Sequence, residues 1–122
     1  LLHRNNRYKM SSFTSEKAYR VGIVGATGAV GIEVIKCLKN LKFPVTSLHL
    51  YASKKSAGKL LSTEFGEIAI EEFTIDESRK CDVIFLAVSG DFALENVPKI
   101  IENNGPYVID NSSAFRYTDS VP

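Results

Sequence analysis

The chain has 122 residues, enough for one domain with a hydrophobic core and too few for two. Its 15 basic and 14 acidic residues nearly cancel, so its net charge favours neither nucleic acid nor an anionic membrane as a partner. The longest apolar run, residues 83–88, is strand-sized and far short of the roughly 20 residues that cross a bilayer. We therefore expect no membrane-spanning segment.

Residues 1–18 are predicted to be a basic, polar N-terminal extension. This stretch contains several Arg, Lys and Ser residues, and Glu16 is its only acid. That composition is typical of a transit-peptide remnant, and a disordered extension explains it equally well. The predicted location is accordingly cytoplasmic or organellar, and a plastid is possible if the extension is a targeting remnant.

The fold is predicted to begin near Tyr19. Residues 20–25 form a short buried strand that runs into a glycine turn. A helix follows from Val30, and Pro44 is expected to end it. Its apolar stripe consists of Val30, Val34, Ile35, Leu38 and Leu41.

A second strand is predicted over residues 45–52, followed by a polar, glycine-containing loop over residues 53–59. The alternation in residues 60–73 favours small excursion strands over a helix.

The apolar run from Cys81 to Val88 is predicted to be a central strand covered on both faces. Asp91 is expected to cap a helix that runs to about Asn103, with Pro98 tolerated only if it lies early or kinks the helix. Asn104-Gly105 supplies the stop, and residues 107–110 form another buried strand.

Alternating strands and helices predict a single α/β domain over residues 19–122, with a doubly wound, Rossmann-like, mainly parallel sheet. Such domains bind ligands beyond the carboxyl ends of their strands. Three segments that follow strands are therefore the candidates for function.

The first segment runs from Gly25 to Gly31 and has the spacing G-x-x-G-x-x-G, a variant of the dinucleotide fingerprint. Glycines permit the tight turn and let the backbone approach a pyrophosphate, while amides at the helix start face the anion. Read alone, the segment could also be a plain turn.

The second segment runs from Ala52 to Lys59 and contains three lysines and no acid. NAD sites usually place an acid near this position for the ribose hydroxyl, whereas NADP sites place cations and hydroxyls for the extra phosphate. The loop therefore favours NADP, although in isolation a solvated lysine-rich turn explains it better.

The third segment runs from Asn111 to Arg116 and combines hydroxyls, an amide and a guanidinium suited to bidentate binding of phosphate or carboxylate. Its chemistry alone is also compatible with a surface turn.

In order, the three segments resemble aspartate-semialdehyde dehydrogenase from about Tyr19 to Pro122. The family's A-S-x-R-S-A-G-K loop is similar to residues 52–59, and its I-D-N-S-S-A-F-R segment is similar to residues 109–116. These two motifs are more specific than the glycine loop.

The resemblance implies a set of ligand-binding residues. Thr27, Gly28, Ala29 and Val30 would contact the pyrophosphate of NADP, and Lys55 and Ser56 its 2′-phosphate; Gly25 and Ser53 are further cofactor-binding candidates; Ser89, Gly90 and Asn111 are weaker ones; and Arg116 would bind the substrate phosphate.

The implied reaction is the reduction of L-aspartyl 4-phosphate by NADPH to L-aspartate 4-semialdehyde and phosphate, on the way to lysine, threonine and methionine. The resemblance also implies a homodimer or homotetramer in the complete enzyme. The implied partners are thus a small-molecule substrate and phosphate, with no nucleic acid and no membrane.

This sequence departs from the family in two ways. Position 55 is Lys where the family commonly has Arg, which keeps the charge and loses the planar fork. The family's nucleophilic cysteine lies downstream of the third segment, where this chain has none, so no catalytic residue is assigned and the chain alone is expected to be inactive.

The cysteines and histidines that this chain does contain are not expected to act in catalysis. Cys37 and Cys81 have no metal-ligand spacing and are predicted to be buried thiols, the first on the apolar side of a helix and the second opening a strand. His3 lies in the N-terminal extension and His49 within a predicted strand.

Two alternatives remain open. One is a related acyl-phosphate reductase, such as N-acetyl-gamma-glutamyl-phosphate reductase, which shares the fold and the glycine loop. The other is a non-catalytic dinucleotide-binding module.

Overall fold

A computed structural model describes residues 18–110 of the chain. The two longest helices in this part have 12 residues each, and none of its helices is long and apolar enough to cross a membrane. The elements are β1 (Tyr19–Val24), α1 (Ala29–Asn40), β2 (Val45–Ala52), β3 (Leu60–Thr63), β4 (Gly66–Glu72), α2 (Ile75–Ser78), β5 (Val83–Leu86), α3 (Gly90–Ile101) and β6 (Tyr107–Asp110).

The described strands form one sheet in the order β3-β4-β2-β1-β5-β6. All neighbouring pairs are parallel except β3 with β4, which form an antiparallel hairpin. β5 lies between β1 and β6, so it is paired on both sides as predicted. The α/β prediction with a mainly parallel sheet is therefore confirmed.

The core has two layers, one on each face of the sheet. The helix α1 covers the first face and α3 covers the second, so the sheet is wound on both sides. The buried residues of the first layer include Val21, Ile23, Val34, Ile35, Leu38, Leu50 and Ile70. Those of the second include Val24, Tyr51, Ile84, Leu86, Val97, Ile100 and Val108.

The helix α1 is shorter than predicted. It ends at Asn40, Leu41 is its C-cap, and Lys42 turns the chain with a positive φ of 56°. Leu41 is consequently 80% exposed and does not join the apolar stripe. Pro44 lies beyond this turn, so the prediction that Pro44 ends the helix was wrong.

Cys37 is exposed, which corrects the prediction of a buried thiol. The stripe that α1 buries consists of Gly31, Val34, Ile35 and Leu38. Cys37 lies on the flank of this stripe, because the helix meets the sheet along a narrow contact line. Only Cys81 is a buried thiol, and it precedes β5 by two residues instead of opening it.

The helix α3 begins earlier than predicted. Ser89 is its N-cap, and the Ser89 hydroxyl accepts a hydrogen bond of 3.3 Å from the Phe92 amide. The prediction that Asp91 caps the helix was wrong, since Asp91 lies in the first turn, where its charge suits the helix dipole. The helix continues through Pro98 and ends at Ile101.

The excursion after β2 consists of short strands, as predicted; the structure pairs them as the β3–β4 hairpin, and β4 joins the main sheet beside β2. The one-turn helix α2 was not predicted. Its cap is Thr74, whose hydroxyl accepts a bond of 3.1 Å from the Glu77 amide. A single turn lacks the length at which an apolar period becomes visible in a sequence.

Candidate functional site

The glycine loop between β1 and α1 is held at the carboxyl edge of the sheet. The Gly25 amide donates to the Tyr51 carbonyl at 2.9 Å, and Gly25 has a φ of 86°. A Cβ at Gly25 would collide with the Ala87 carbonyl, and one at Gly31 would collide with the Gly25 carbonyl. At Gly28 the nearest atom would be 3.7 Å away, so the backbone is open to a ligand there.

The helix α1 begins with backbone amides that no side chain caps in the described residues. Gly28 is the N-cap and offers no side-chain cap, and the first turn contains no acid. The first intrahelical bond runs from the Ile32 amide to the Gly28 carbonyl at 3.0 Å, so the amides of Ala29 and Val30 precede it. This geometry suits an anion such as a pyrophosphate. Thr27, also exposed, has no side-chain partner in residues 18–110.

The lysine-containing loop after β2 is built from consecutive turns. The Ser56 amide donates to the Ser53 carbonyl at 3.0 Å, and the Gly58 amide donates to the Ile70 carbonyl at 2.7 Å, which ties the loop to β4. All three lysines of the loop are exposed and form no ion pair within the described part of the chain. Lys55 and Ser56 are therefore available to a ligand.

A cleft of about 410 Å³ lies between the glycine loop and the loop after β2. The structure thus brings two of the three predicted segments to one site. The cleft is lined by Val24, Gly25, Thr27, Ala52, Ser53, Lys54, Glu72, Phe73, Val88 and Phe92. Lys55 and Ser56 belong to the adjoining loop and do not line the cleft itself.

Aromatic rings form one side of this cleft. The Phe73 ring lies edge-on to Phe92, with centroids 5.1 Å apart, and edge-on to Tyr51 at 6.2 Å. The Phe73 amide donates to the Ala52 carbonyl at 3.0 Å, which fixes the ring beside the end of β2. Apolar walls with a few polar groups are typical of cofactor clefts.

Ser89 and Gly90 lie at the start of α3, close to this edge. The Ser89 oxygen accepts the capping bond, and its hydroxyl can still donate its proton to a ligand or accept a second bond. Gly90 is the first residue of the helix. The remaining predicted site residues, Asn111 and Arg116, lie outside the described residues.

The thiols lie away from the carboxyl edge. Cys81 precedes β5 at the amino edge, and its sulfur lies 3.6 Å from the Tyr51 hydroxyl. Burial raises the pKa of Cys81, and burial and the adjacent thiol raise the pKa of Tyr51. Both groups are therefore neutral near pH 7, and Cys81 is a poor nucleophile.

His49 is held in the middle of β2. Its Nδ1 lies 3.1 Å from the Glu71 carboxylate and its Nε2 lies 3.1 Å from the Ser47 hydroxyl. Residues 18–110 contain no group of three or more His, Cys, Asp or Glu side chains that could hold a metal ion.

A comparison with protein families agrees with this geometry. Residues 20–122 match the model of the semialdehyde dehydrogenase, NAD binding domain, family. The chain belongs to this family. The cleft between its glycine loop and its β2 loop is accordingly the candidate dinucleotide site of a semialdehyde dehydrogenase.

Similar proteins include several aspartate-semialdehyde dehydrogenases. The chain is 42% identical to the one from Aquifex aeolicus over 105 residues, which is 85% of this chain and 31% of the relative. It is 39% identical to the one from Synechocystis over 103 residues, 84% of this chain and 30% of the relative. The chain therefore spans about a third of the length of these relatives.

A solved structure has the same fold. The chain matches aspartate semialdehyde dehydrogenase II from Vibrio cholerae with a TM-score of 0.69 and 32% identity, over 83% of this chain and 33% of that one.

Sequence reasoning missed five residues of this cleft. The cleft lining includes five residues that belong to none of the three segments: Val24, Glu72, Phe73, Val88 and Phe92. The position of Glu72 and Phe73 at the end of a strand was the available signal. That strand pairs beside β2, and this pairing was not predicted.

Proposed function

We propose that this chain is the NADP-binding portion, over residues 19–122, of an aspartate-semialdehyde dehydrogenase. The complete enzyme would reduce L-aspartyl 4-phosphate with NADPH to L-aspartate 4-semialdehyde and phosphate. The observation that carries the proposal is the cleft between an open glycine loop and a loop whose three lysines form no ion pair within residues 18–110. Membership of the semialdehyde dehydrogenase family supports it.

The glycine loop would hold the pyrophosphate of NADPH. The proposed contacts are those of Gly25, Thr27, Gly28, Ala29 and Val30. Gly28 leaves the space that a Cβ would fill, and the first turn of α1 lacks an acid that would repel an anion. NADPH, when bound, would supply the hydride for the reduction.

The loop after β2 would recognise the 2′-phosphate through Ser53, Lys55 and Ser56. A charge-assisted contact contributes roughly 1.5 to 3 kcal/mol, and tenfold in affinity corresponds to about 1.4 kcal/mol. One good contact is thus enough for at least tenfold tighter binding of NADPH than of NADH.

The segments that follow β5 and β6 would complete the site. Ser89 and Gly90 would contact the cofactor, as would Asn111, and Arg116 would bind the phosphate of the substrate. The complete enzyme is proposed to be a homodimer or homotetramer, and its cytoplasmic or organellar location stays a prediction.

Neither thiol of this chain is proposed as the nucleophile. Cys81 lies at the amino edge of the sheet, where burial raises its pKa. Cys37 lies eight residues into α1, about 12 Å along the helix from its first residue. We therefore propose that the isolated chain binds the dinucleotide and has no reductase activity.

Calorimetric titration of the 122-residue chain with NADPH and NADH tests the proposal. The expected result is at least tenfold tighter binding of NADPH. The double variant Lys55→Ala, Ser56→Ala should bring the two affinities within about threefold, mainly by weakening NADPH binding.

Lys36→Ala is the matched charge control. Lys36 is exposed on α1 outside the cleft, so its removal should leave the preference unchanged. Equal affinities of the unaltered chain for NADPH and NADH would refute the NADP assignment. An equal loss of preference in the Lys36 variant would show that net charge, and not the loop, sets it.

A further inference from the structure

The loop after β2 contains no acid, yet its cleft does. Glu72, the last residue of β4, lines the cleft together with Ser53 and Lys54. Glu72 is the register partner of Ala52, the last residue of β2, and adjacent strands lie about 4.8 Å apart. Glu72 is therefore beside the position where NAD-specific sites usually place their acid.

The Glu72 carboxylate does not stabilise the fold through any contact in the described residues. It is exposed, and it forms no hydrogen bond or ion pair within residues 18–110. Its neighbour Glu71, by contrast, lies 3.1 Å from the His49 ring nitrogen. The two adjacent acids thus differ, and of the two only Glu72 lines the cleft.

The position of Glu72 is enforced by its neighbours in the sheet. The Phe73 amide donates to the Ala52 carbonyl at 3.0 Å, directly after Glu72. The Ile70 amide donates to the Lys59 carbonyl at 2.8 Å, two residues before it. Glu72 is therefore held between the end of β2 and the lysine loop.

We propose that Glu72 is a specificity-determining residue of the cleft, which limits the preference for NADPH over NADH. Its carboxylate accepts a hydrogen bond from the adenosine ribose hydroxyl of NADH and repels the 2′-phosphate of NADPH. The lysines act in the opposite direction, so the cofactor preference is the balance between one acid and this cationic loop. The inference rests on the proposed dinucleotide function.

Glu72→Gln in the 122-residue chain tests this role, because it removes the charge and keeps the shape. NADPH should bind roughly threefold to tenfold more tightly, and NADH should bind equally or more weakly. Adenosine 2′,5′-bisphosphate should show the same gain, while 5′-AMP should not. The gain should shrink in high salt, since screening weakens the repulsion.

Glu67→Gln is the matched control, because Glu67 is an exposed acid near the other end of the same strand and does not line the cleft. It should leave the ratio of the two affinities unchanged. If the unaltered chain prefers NADPH and Glu72→Gln leaves the ratio within twofold, the role of Glu72 is refuted and the proposed function stands. If the unaltered chain binds neither dinucleotide, both are refuted.

Discussion

The two edges of the sheet carry clefts of similar size and opposite character. The cleft at the carboxyl edge has a volume of about 410 Å³, and two of the polar side chains that line it, Thr27 and Glu72, have no partner in residues 18–110. The cleft at the amino edge has a volume of about 320 Å³ and is lined by Arg79, Lys80 and Asp82, all of which are bonded.

The bonds at the amino edge are structural. Arg79 donates to the carbonyls of Lys99, Ile100 and Glu102, which closes the end of α3. Asp82 accepts from the Arg20 amide at 2.8 Å. The charged groups that line this cleft already bond within the protein, so few of them are available to bind a ligand. The size of a cleft alone therefore does not identify the ligand-binding site. Unpaired polar groups beside open backbone are what favour the carboxyl edge as the candidate site.

Gly25→Ala should have the largest effect, since it damages the carboxyl edge itself. The new Cβ would collide with the Ala87 carbonyl in a backbone conformation that L-residues avoid. We expect a loss of about 2 to 4 kcal/mol in the free energy of unfolding and loss of NADPH binding. Urea denaturation and calorimetry measure the two.

Gly58→Ala separates strain from collision. Gly58 has a φ of 90°, similar to that of Gly25, but nothing lies within 4 Å of its added Cβ. Its cost should be limited to about 1 to 2 kcal/mol. Equal losses for the two variants would show that the contact with Ala87 is unimportant.

Arg79→Met should have an intermediate effect and act only at the amino edge. It leaves the last carbonyls of α3 without their donor, at an expected cost of about 2 kcal/mol in the free energy of unfolding. The affinity for NADPH should not change. Lys99→Met, which removes one exposed charge at the same helix end, should cost much less in a parallel denaturation series. A large change in affinity would contradict the separation of the two edges.

Lys80→Met should have the smallest effect. Lys80 bonds to Glu77 at 2.8 Å, and this bond lowers the pKa of Glu77 and raises the pKa of Lys80. Both groups are exposed, so screening by water makes the loss of stability slight.

The pH dependence of that slight loss has a defined sign. The contribution of Glu77 to the free energy of unfolding is present above its pKa in the unfolded chain. It disappears as pH falls through its lowered pKa in the folded chain. The contribution of Lys80 to the same free energy is present below its pKa in the unfolded chain. It disappears as pH rises through its raised pKa in the folded chain. The variant and the unaltered chain should therefore differ at neutral pH and converge below about pH 4. A difference that grows in acid would contradict this assignment.

Much of the fold could be predicted because its signals are local. The strand β2 was predicted with its observed bounds, and the glycine loop was placed between β1 and α1, where it lies. Helix ends were predicted less well. Ser89 and Asp91 are both good capping residues in a sequence, and only the backbone geometry shows that Ser89 is the cap.

The sequence by itself determined the order of strands and helices, the glycine loop and the cationic loop. Each of these depends on the conformational preferences of neighbouring residues, or on an apolar period within one element. The pairing of β4 with β2 was decided only in the tertiary structure, because it joins residues about 20 positions apart. That pairing places Glu72 and Phe73 in the cleft, and so adds an acid and an aromatic wall to a site in which the sequence alone indicated only glycines, hydroxyls and lysines.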